Sequence, residues 1–186
     1  MTNRIELSNL RLKAFTEQDA SDYCQLNNIN QDDITELYLR DNELTDISGI
    51  KLFKNVEILN LSNNYLTDIS IINKCHKLKK INLNKNIIKN LPKVENLKNL
   101  FFLNLDSNQL TDISALKDLN NLEYLNLNGN NKITDISVLK KLTNLQSLDI
   151  LYLNLETDQI QYIDSLKNLK ILYQNSFPTR LLKYYK

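Results

Sequence analysis

The chain is poor in the residues that make loops, covalent staples and catalytic centres. Its 186 residues hold two glycines, two prolines, two cysteines, one histidine and no tryptophan. With Gly49 and Gly129 as the only glycines, there is no glycine-rich turn to cradle a phosphate, so nucleotide chemistry has no starting point. Pro92 and Pro178 stand alone, and no linker divides the chain, which reads as one domain. Cys24 and Cys75 are too few and too widely spaced for a disulfide framework or a zinc motif. Both are expected to be reduced. His76 has no serine, cysteine or carboxylate at a fixed catalytic spacing, so neither a triad nor a general base is legible. The expectation is therefore no enzyme, no catalytic residue, no cofactor and no metal. No stretch is apolar enough to cross a membrane, and Met1 to Glu6 lacks the apolar core of a signal peptide. The expected location is cytoplasmic, or a host cell reached without a visible signal.

What the chain does have is a 22-residue period. From Ile34 the repeats run 34–55, 56–77, 78–99 and 100–121, then 122–144 with one inserted residue and 145–168 with two. A seventh begins at Leu169. The first five follow L-x-x-L-x-L-x-x-N-x-L, as in Ile34, Leu37, Leu39, Asn42, Leu44 or Leu100, Leu103, Leu105, Asn108, Leu110, and in the sixth Leu153 replaces the expected Asn. One repeat has no means of burying its apolar side alone, so successive coils must stack around a continuous core. The L-x-L unit has period two and predicts a short strand with leucines inward, and stacked strands make a parallel sheet. The following apolar residues, such as Ile113, Leu116 and Leu119, are spaced by three, which suits a 3₁₀ or irregular return path.

Two polar columns accompany the leucines. Asn42, Asn64, Asn86, Asn108 and Asn130 stand where the chain leaves the strand, and their amides are expected to bond backbone groups that the bend leaves unpaired. The token Thr-Asp-Ile-Ser recurs at 45–48, 67–70, 111–114 and 134–137, with Thr and Asp placed to cap the convex turn. A calcium ladder of Asp46, Asp68, Asp112 and Asp135 is the weaker alternative, since Asn90 interrupts it and glycine-rich spacing is missing.

On these motifs the chain resembles the leucine-rich-repeat family, within it the 22-residue repeats of the internalins and their SDS22-like relatives. The resemblance implies an α/β fold: a curved solenoid with the parallel sheet on its concave face and a 3₁₀ or irregular convex face. Residues 1–33 form an N-terminal cap, 34–177 about seven repeats, and 178–186 a short C-terminal cap or tail. In the first of these, Ile5 to Leu12 reads as a strand and Thr16 as the N-cap of a short helix with Ala20, Tyr23, Cys24 and Ile29 inward. Residues 6–26 also resemble the opening strand and helix of GNAT acetyltransferases. The glycine-rich turn that would bind acetyl-CoA is missing, so the segment reads as a cap without chemistry.

Function is left to the outward side of the sheet, which the resemblance makes the usual partner-binding face. Before each inward leucine stand Glu36, Ile58, Lys80, Phe102, Tyr124, Ser147 and Ile171. After it stand Tyr38, Asn60, Asn82, Asn104, Asn126, Asp149 and Tyr173. Phe102 and Tyr124 are large aromatics where solvent is expected, the residue type that anchors interfaces. The partner-binding set is Tyr38, Ile58, Tyr65, Lys80, Asn82, Lys85, Phe102, Asn104, Tyr124, Asn126, Asp149 and Tyr173. The asparagines read either as a ladder along the sheet or as readers of a peptide backbone or sugar. Seven strands give a face roughly 30 Å long and on the order of 400 Å². A standard interface needs about 800 Å² per partner, so the turns with Glu43, Tyr65, Ile87 and Gln109 must join in.

Charge is uneven behind a net of +1: residues 1–50 hold ten acidic and four basic groups, and the rest carries +7. Lysines 74, 77, 79, 80, 85, 89 and 93 crowd the third repeat and its flanks. The expected function is a monomeric, non-catalytic protein-binding module acting as an inhibitor, adaptor or effector. The alternatives are a single-stranded nucleic-acid binder using Lys80, Lys85 and the aromatics, and an exported adhesin.

Overall fold

The computed structural model describes residues 3–174. Within them eight strands of three residues pair in sequence order as one parallel sheet: β1 (Arg4–Glu6), β2 (Glu36–Tyr38), β3 (Ile58–Asn60), β4 (Lys80–Asn82), β5 (Phe102–Asn104), β6 (Tyr124–Asn126), β7 (Ser147–Asp149) and β8 (Ile171–Tyr173). The central residue of each strand is buried and aligned with its neighbours, as Leu59, Ile81, Leu103 and Leu125 are. Such a side chain contributes about 1.5–3 kcal/mol by leaving water. The periodic leucines make one contiguous core that runs from Ile5 in the cap to Leu172 in the last strand.

Three features depart from the sequence reading. The cap supplies an eighth strand, and that strand ends at Glu6 rather than running to Leu12. Asn9 and Arg11 take positive φ and turn the chain away, although Leu7 and Asn9 still donate to the carbonyls of Tyr38 and Arg40. The convex side carries 3₁₀ turns at Ser48–Leu52, Ser70–Lys74, Ser114–Asp118 and Ser137–Lys141, each after a Thr-Asp-Ile-Ser token. The third coil, with Asn90 and Pro92 in its place, has none. The sixth coil, two residues longer, winds a 3₁₀ turn (Thr157–Gln159) into a short α-helix, α2 (Ile160–Asp164), where only a 3₁₀ or irregular path was expected. Capping of the regular turns falls to aspartate: Asp46, Asp68, Asp112 and Asp135 each accept from the serine N–H two residues on, at 2.7–2.8 Å. Thr45 instead donates to the Lys13 carbonyl at 3.3 Å.

The N-terminal helix, α1 (Glu17–Leu26), opens on a full capping box between Thr16 and Asp19 and buries Ala20 and Cys24 on the first coil. Tyr23 and Ile29 are partly buried on the same core. Gly49 makes this docking possible, because a Cβ there would lie 2.4 Å from the Thr16 carbonyl oxygen and 2.7 Å from that of Phe15. The tail at 178–186 and the end of the seventh repeat lie outside the described residues.

The asparagine column ties the coils together. The Asn108 amide donates at 3.0 Å to the carbonyls of Leu83 in the preceding coil and Leu105 in its own, and its oxygen accepts from Ile88 at 3.1 Å. Asn64, Asn86 and Asn130 repeat the pattern. Asn42 does the same for the cap, donating to Leu7 and accepting from Leu10 and Leu12. At Leu153 the column ends in a buried leucine, and Gln159 accepts from the Ile136 N–H.

Candidate functional site: the outward face of the sheet

Alternation along each three-residue strand sends its first and last side chains outward, and the unshifted register lines them into rows. One row reads Arg4, Glu36, Ile58, Lys80, Phe102, Tyr124, Ser147, Ile171, and a second Glu6, Tyr38, Asn60, Asn82, Asn104, Asn126, Asp149, Tyr173. The cap strand thus lengthens the face by about 5 Å.

Phe102 and Tyr124, on adjacent strands, stack with ring centroids 4.3 Å apart and planes within 5°. Both remain half-buried, so the stack presents an apolar surface without belonging to the leucine core. Burial raises the pKa of the Tyr124 hydroxyl, opposed by a hydrogen bond with Asn126 and reinforced by the nearby charges of Asp149 and Asp106. The Asp149 carboxyl is likewise pushed up, first by burial and also by Asp106, against a bond from the Leu151 N–H. Tyr173, half exposed, lies near enough to Tyr124 to influence it as well.

The asparagine row has a structural task that differs from a ladder across the sheet. Each Oδ1 accepts from the backbone N–H two residues on in its own coil: Asn60 from Ser62, Asn82 from Asn84, Asn104 from Asp106, Asn126 from Asn128, and Asp149 from Leu151, at 2.9–3.1 Å. These bonds close the strand end as Asx turns do. They engage the oxygens; Asn82 and Asn104 stay half-buried on the outward face, while Asn126 is buried and its amide is engaged with the Tyr124 hydroxyl.

The remaining expected site residues are scattered. Tyr38 is occupied by the cap: its hydroxyl donates to Glu36 at 3.0 Å and the Arg4 guanidinium lies 4.1 Å from its ring. Ile58 is half-buried beside Lys80, whose ammonium turns toward the Phe101 ring at 5.5 Å. Tyr65 and Ile87 are exposed in successive turns at the rim, and Lys85 sits in the turn with φ +54°. The seven lysines of the third repeat and its flanks are divided between the second coil's convex turn (Lys74), the approach to the sheet (Lys77 and Lys79), strand β4 (Lys80) and the turns beyond it (Lys85, Lys89 and Lys93), so they do not form one row along the groove.

Two recurring positions escaped the sequence reading. The residue before the asparagine column is left-handed in every coil: Asp41, Asn63, Lys85, Ser107, Gly129 and Tyr152. Asp, Asn and Gly at three of the six are the signal. A second asparagine ladder, Asn55, Asn99, Asn121, Asn144 and Asn168, reaches back to carbonyls of Asp32, His76, Lys98, Asn120 and Thr143 in the preceding coil. Its mark in the sequence is the asparagine before the first apolar residue of a repeat, Asn-Val at 55–56 and Asn-Leu before β5 to β8, with Lys77 in its place before β4. Of the groups that bear chemistry, His76 is exposed beside a groove of about 850 Å³ between α1 and the first convex turns. Cys75 is sealed in the core, its thiol pushed up to about 11 by burial. Among the described residues no cluster of three or more His, Cys, Asp or Glu is placed to hold a metal, and no helix is long and apolar enough to cross a membrane.

The comparisons with known proteins agree with this architecture. A family model described as leucine-rich repeats in two copies matches residues 32–70, 54–99 and 98–141. No curated protein matches the sequence. Among solved structures, an internalin (InlF) of Listeria monocytogenes is 32% identical with a TM-score of 0.73, over 79% of this chain and 44% of its own. A leucine-rich-repeat protein of Leptospira interrogans is 26% identical with a TM-score of 0.76, over 97% and 57%. Internalin C2 of Listeria monocytogenes is 25% identical with a TM-score of 0.69, over 93% and 80%. The chain thus spans about half the length of the first two. Leucine-rich-repeat proteins commonly mediate protein–protein interaction and are typically non-catalytic. By its repeats, its sheet and these matches, the chain belongs to the leucine-rich-repeat family, in its internalin-like form.

Proposed function

We propose that this protein is a non-catalytic, monomeric module that binds another protein along the concave sheet face, with Phe102 and Tyr124 as the anchor. The observation that carries the reading is the stacked pair, 4.3 Å apart and half open to solvent where the fold itself asks only for a polar residue. Aromatic side chains held rigidly among polar neighbours supply contact area at little cost in side-chain entropy, which is why they dominate interface energetics. The Asn82 and Asn104 amides offer donors beside the stack, and Tyr65 and Ile87 extend the apolar surface over the rim. The spread of lysines around the third coil argues for protein over nucleic acid, since a strand of phosphates needs its cations on one track. An adaptor, inhibitor or effector role inside a cell is the finer form of the same reading. Its test is paired affinity capture with the full chain and with Phe102→Ser, Tyr124→Ser as baits. Partners retained by the wild type and missing from the folded double variant support the reading, and an identical set on both defeats it.

A further inference from the structure

Asp149 is an anomaly in its row. Asn60, Asn82, Asn104 and Asn126 perform the same local task, one oxygen accepting from the N–H two residues on, and a neutral amide is sufficient for it. A carboxylate at this place adds nothing to the turn and carries the cost of partial burial beside a second carboxylate, Asp106. Asp106 is itself an exception in its row, where Ser62, Asn84 and Asn128 stand in neighbouring coils. No ion pair among the described residues involves either acid. The Asp106 carboxylate accepts from the Ser107 hydroxyl at 2.9 Å, Lys85 reaches Asp106 through a backbone N–H to its backbone carbonyl, also at 2.9 Å, and the Lys80 ammonium is turned to Phe101. By the register Asp149 stands beside Asn126 on the next strand, and Asp106 lies two residues past Asn104 on the strand before, so the two acids flank the coil that carries Tyr124 on either side.

From this geometry we infer that the protein partner seated on the concave face presents a basic side chain, arginine or lysine, between Asp106 and Asp149, beside an apolar side chain that lies on the Phe102 and Tyr124 stack. The inference rests on the concave-face reading and adds the chemistry of the partner to it. A cation there gains two carboxylates in a partly desolvated setting, where attraction is less screened than at an open surface. The tyrosine ring adds a cation–π contact, and a guanidinium has the planar fork that suits a carboxylate. Acidic segments are repelled from the same place, so the pair selects as well as binds. The fold keeps a carboxylate that an asparagine would replace to its own advantage, as expected of a position held for recognition.

The test uses a displayed library of random 12-residue peptides selected on the immobilised full chain. Enriched peptides are then synthesised and titrated by fluorescence anisotropy against three proteins: wild type, Asp106→Asn with Asp149→Asn, and Phe102→Ser with Tyr124→Ser. The asparagine double variant keeps both local acceptors and melts no lower than wild type. The expected peptides share an arginine or lysine next to an apolar residue, and changing it to glutamine weakens wild-type binding about tenfold or more. Against Asp106→Asn, Asp149→Asn the same peptides bind about tenfold more weakly, and the glutamine change then costs almost nothing further. Enriched peptides that bind wild type and this variant within twofold, yet fail on Phe102→Ser, Tyr124→Ser, overturn the basic side chain and leave the concave face standing. Peptides indifferent to both double variants, or no enrichment over an irrelevant protein, overturn the two together.

Discussion

Replacing Asn108 by alanine tests the internal logic of the solenoid. The side chain donates at 3.0 Å to the carbonyls of Leu83 and Leu105 and accepts from the Ile88 N–H at 3.1 Å, all three in buried surroundings. Alanine leaves the Ile88 N–H without a partner, while the Leu83 and Leu105 carbonyls each lose one of two donors and keep Asn86 and Asn130. A buried polar group stripped of its hydrogen bond costs about 1–3 kcal/mol and each of the two other lost bonds about 0.5–1.5 kcal/mol, so the predicted loss is on the order of 2–6 kcal/mol, reduced where water enters the gap. Asn104, four residues earlier, makes one local bond to Asp106 on a half-open face. Asn104→Ala is therefore expected to cost about 1 kcal/mol or less. Urea titration of both variants, followed by circular dichroism, gives the two losses directly. Amide exchange adds location, because neighbouring coils share stability and protection should fall first between about 83 and 110 in Asn108→Ala. Equal losses for the two variants, or a loss below about 1 kcal/mol at Asn108, would refute the claim that this column locks coil to coil.

Gly49→Ala drives a Cβ to within 2.4 Å of the Thr16 carbonyl, so it should cost about 2 kcal/mol or more, with exchange quickening in 3–33 while 100–150 stays protected. Lys85→Gly relieves a left-handed lysine, φ +54°, at the place where Gly129 stands two coils on, and should raise stability by about 0.5–1 kcal/mol in the same titration. For Asp149 the folded carboxyl is raised above its ordinary value near 3.9, so the folded state holds its proton more tightly than the unfolded chain. Stability is lost as pH rises through that window, and Asp149→Asn should melt higher than wild type at neutral pH, the gap closing as pH falls through the folded value towards the ordinary one. A variant that melts lower at neutral pH would contradict this.

The repeat, the inward leucines and the asparagine column are legible in the sequence because burial imposes one residue type at one place in every coil. Leu103 and Leu125, aligned and buried, follow from period two alone. The cap strand is harder to delimit, since Asn9 is only a weak signal of left-handed backbone inside Ile5 to Leu12 and Arg11 is none. The left-handed column before each asparagine is visible at Gly129 and Asn63 but hidden at Lys85 and Tyr152, where neighbouring coils hold a conformation that the side chain disfavours. Among candidate site residues, the adjacency of Phe102 and Tyr124 comes from the 22-residue register, whereas their parallel stacking and the occupation of Tyr38 by Arg4 and Glu36 depend on rotamers. The task of Asn82, Asn104 and Asn126 was misplaced because a hydrogen bond within a coil and one along the sheet need the same residue at the same spacing.

The account turns on the stacked aromatic pair, and the affinity of a captured partner for Phe102→Ser, Tyr124→Ser measures it directly. Isothermal titration alongside thermal melting should find the melting temperature within a few degrees of wild type, because neither ring lies in the leucine core. Binding should weaken by roughly 30-fold or more, about 2 kcal/mol. An unchanged Kd on the folded double variant would place the binding site elsewhere on the solenoid and contradict the central claim.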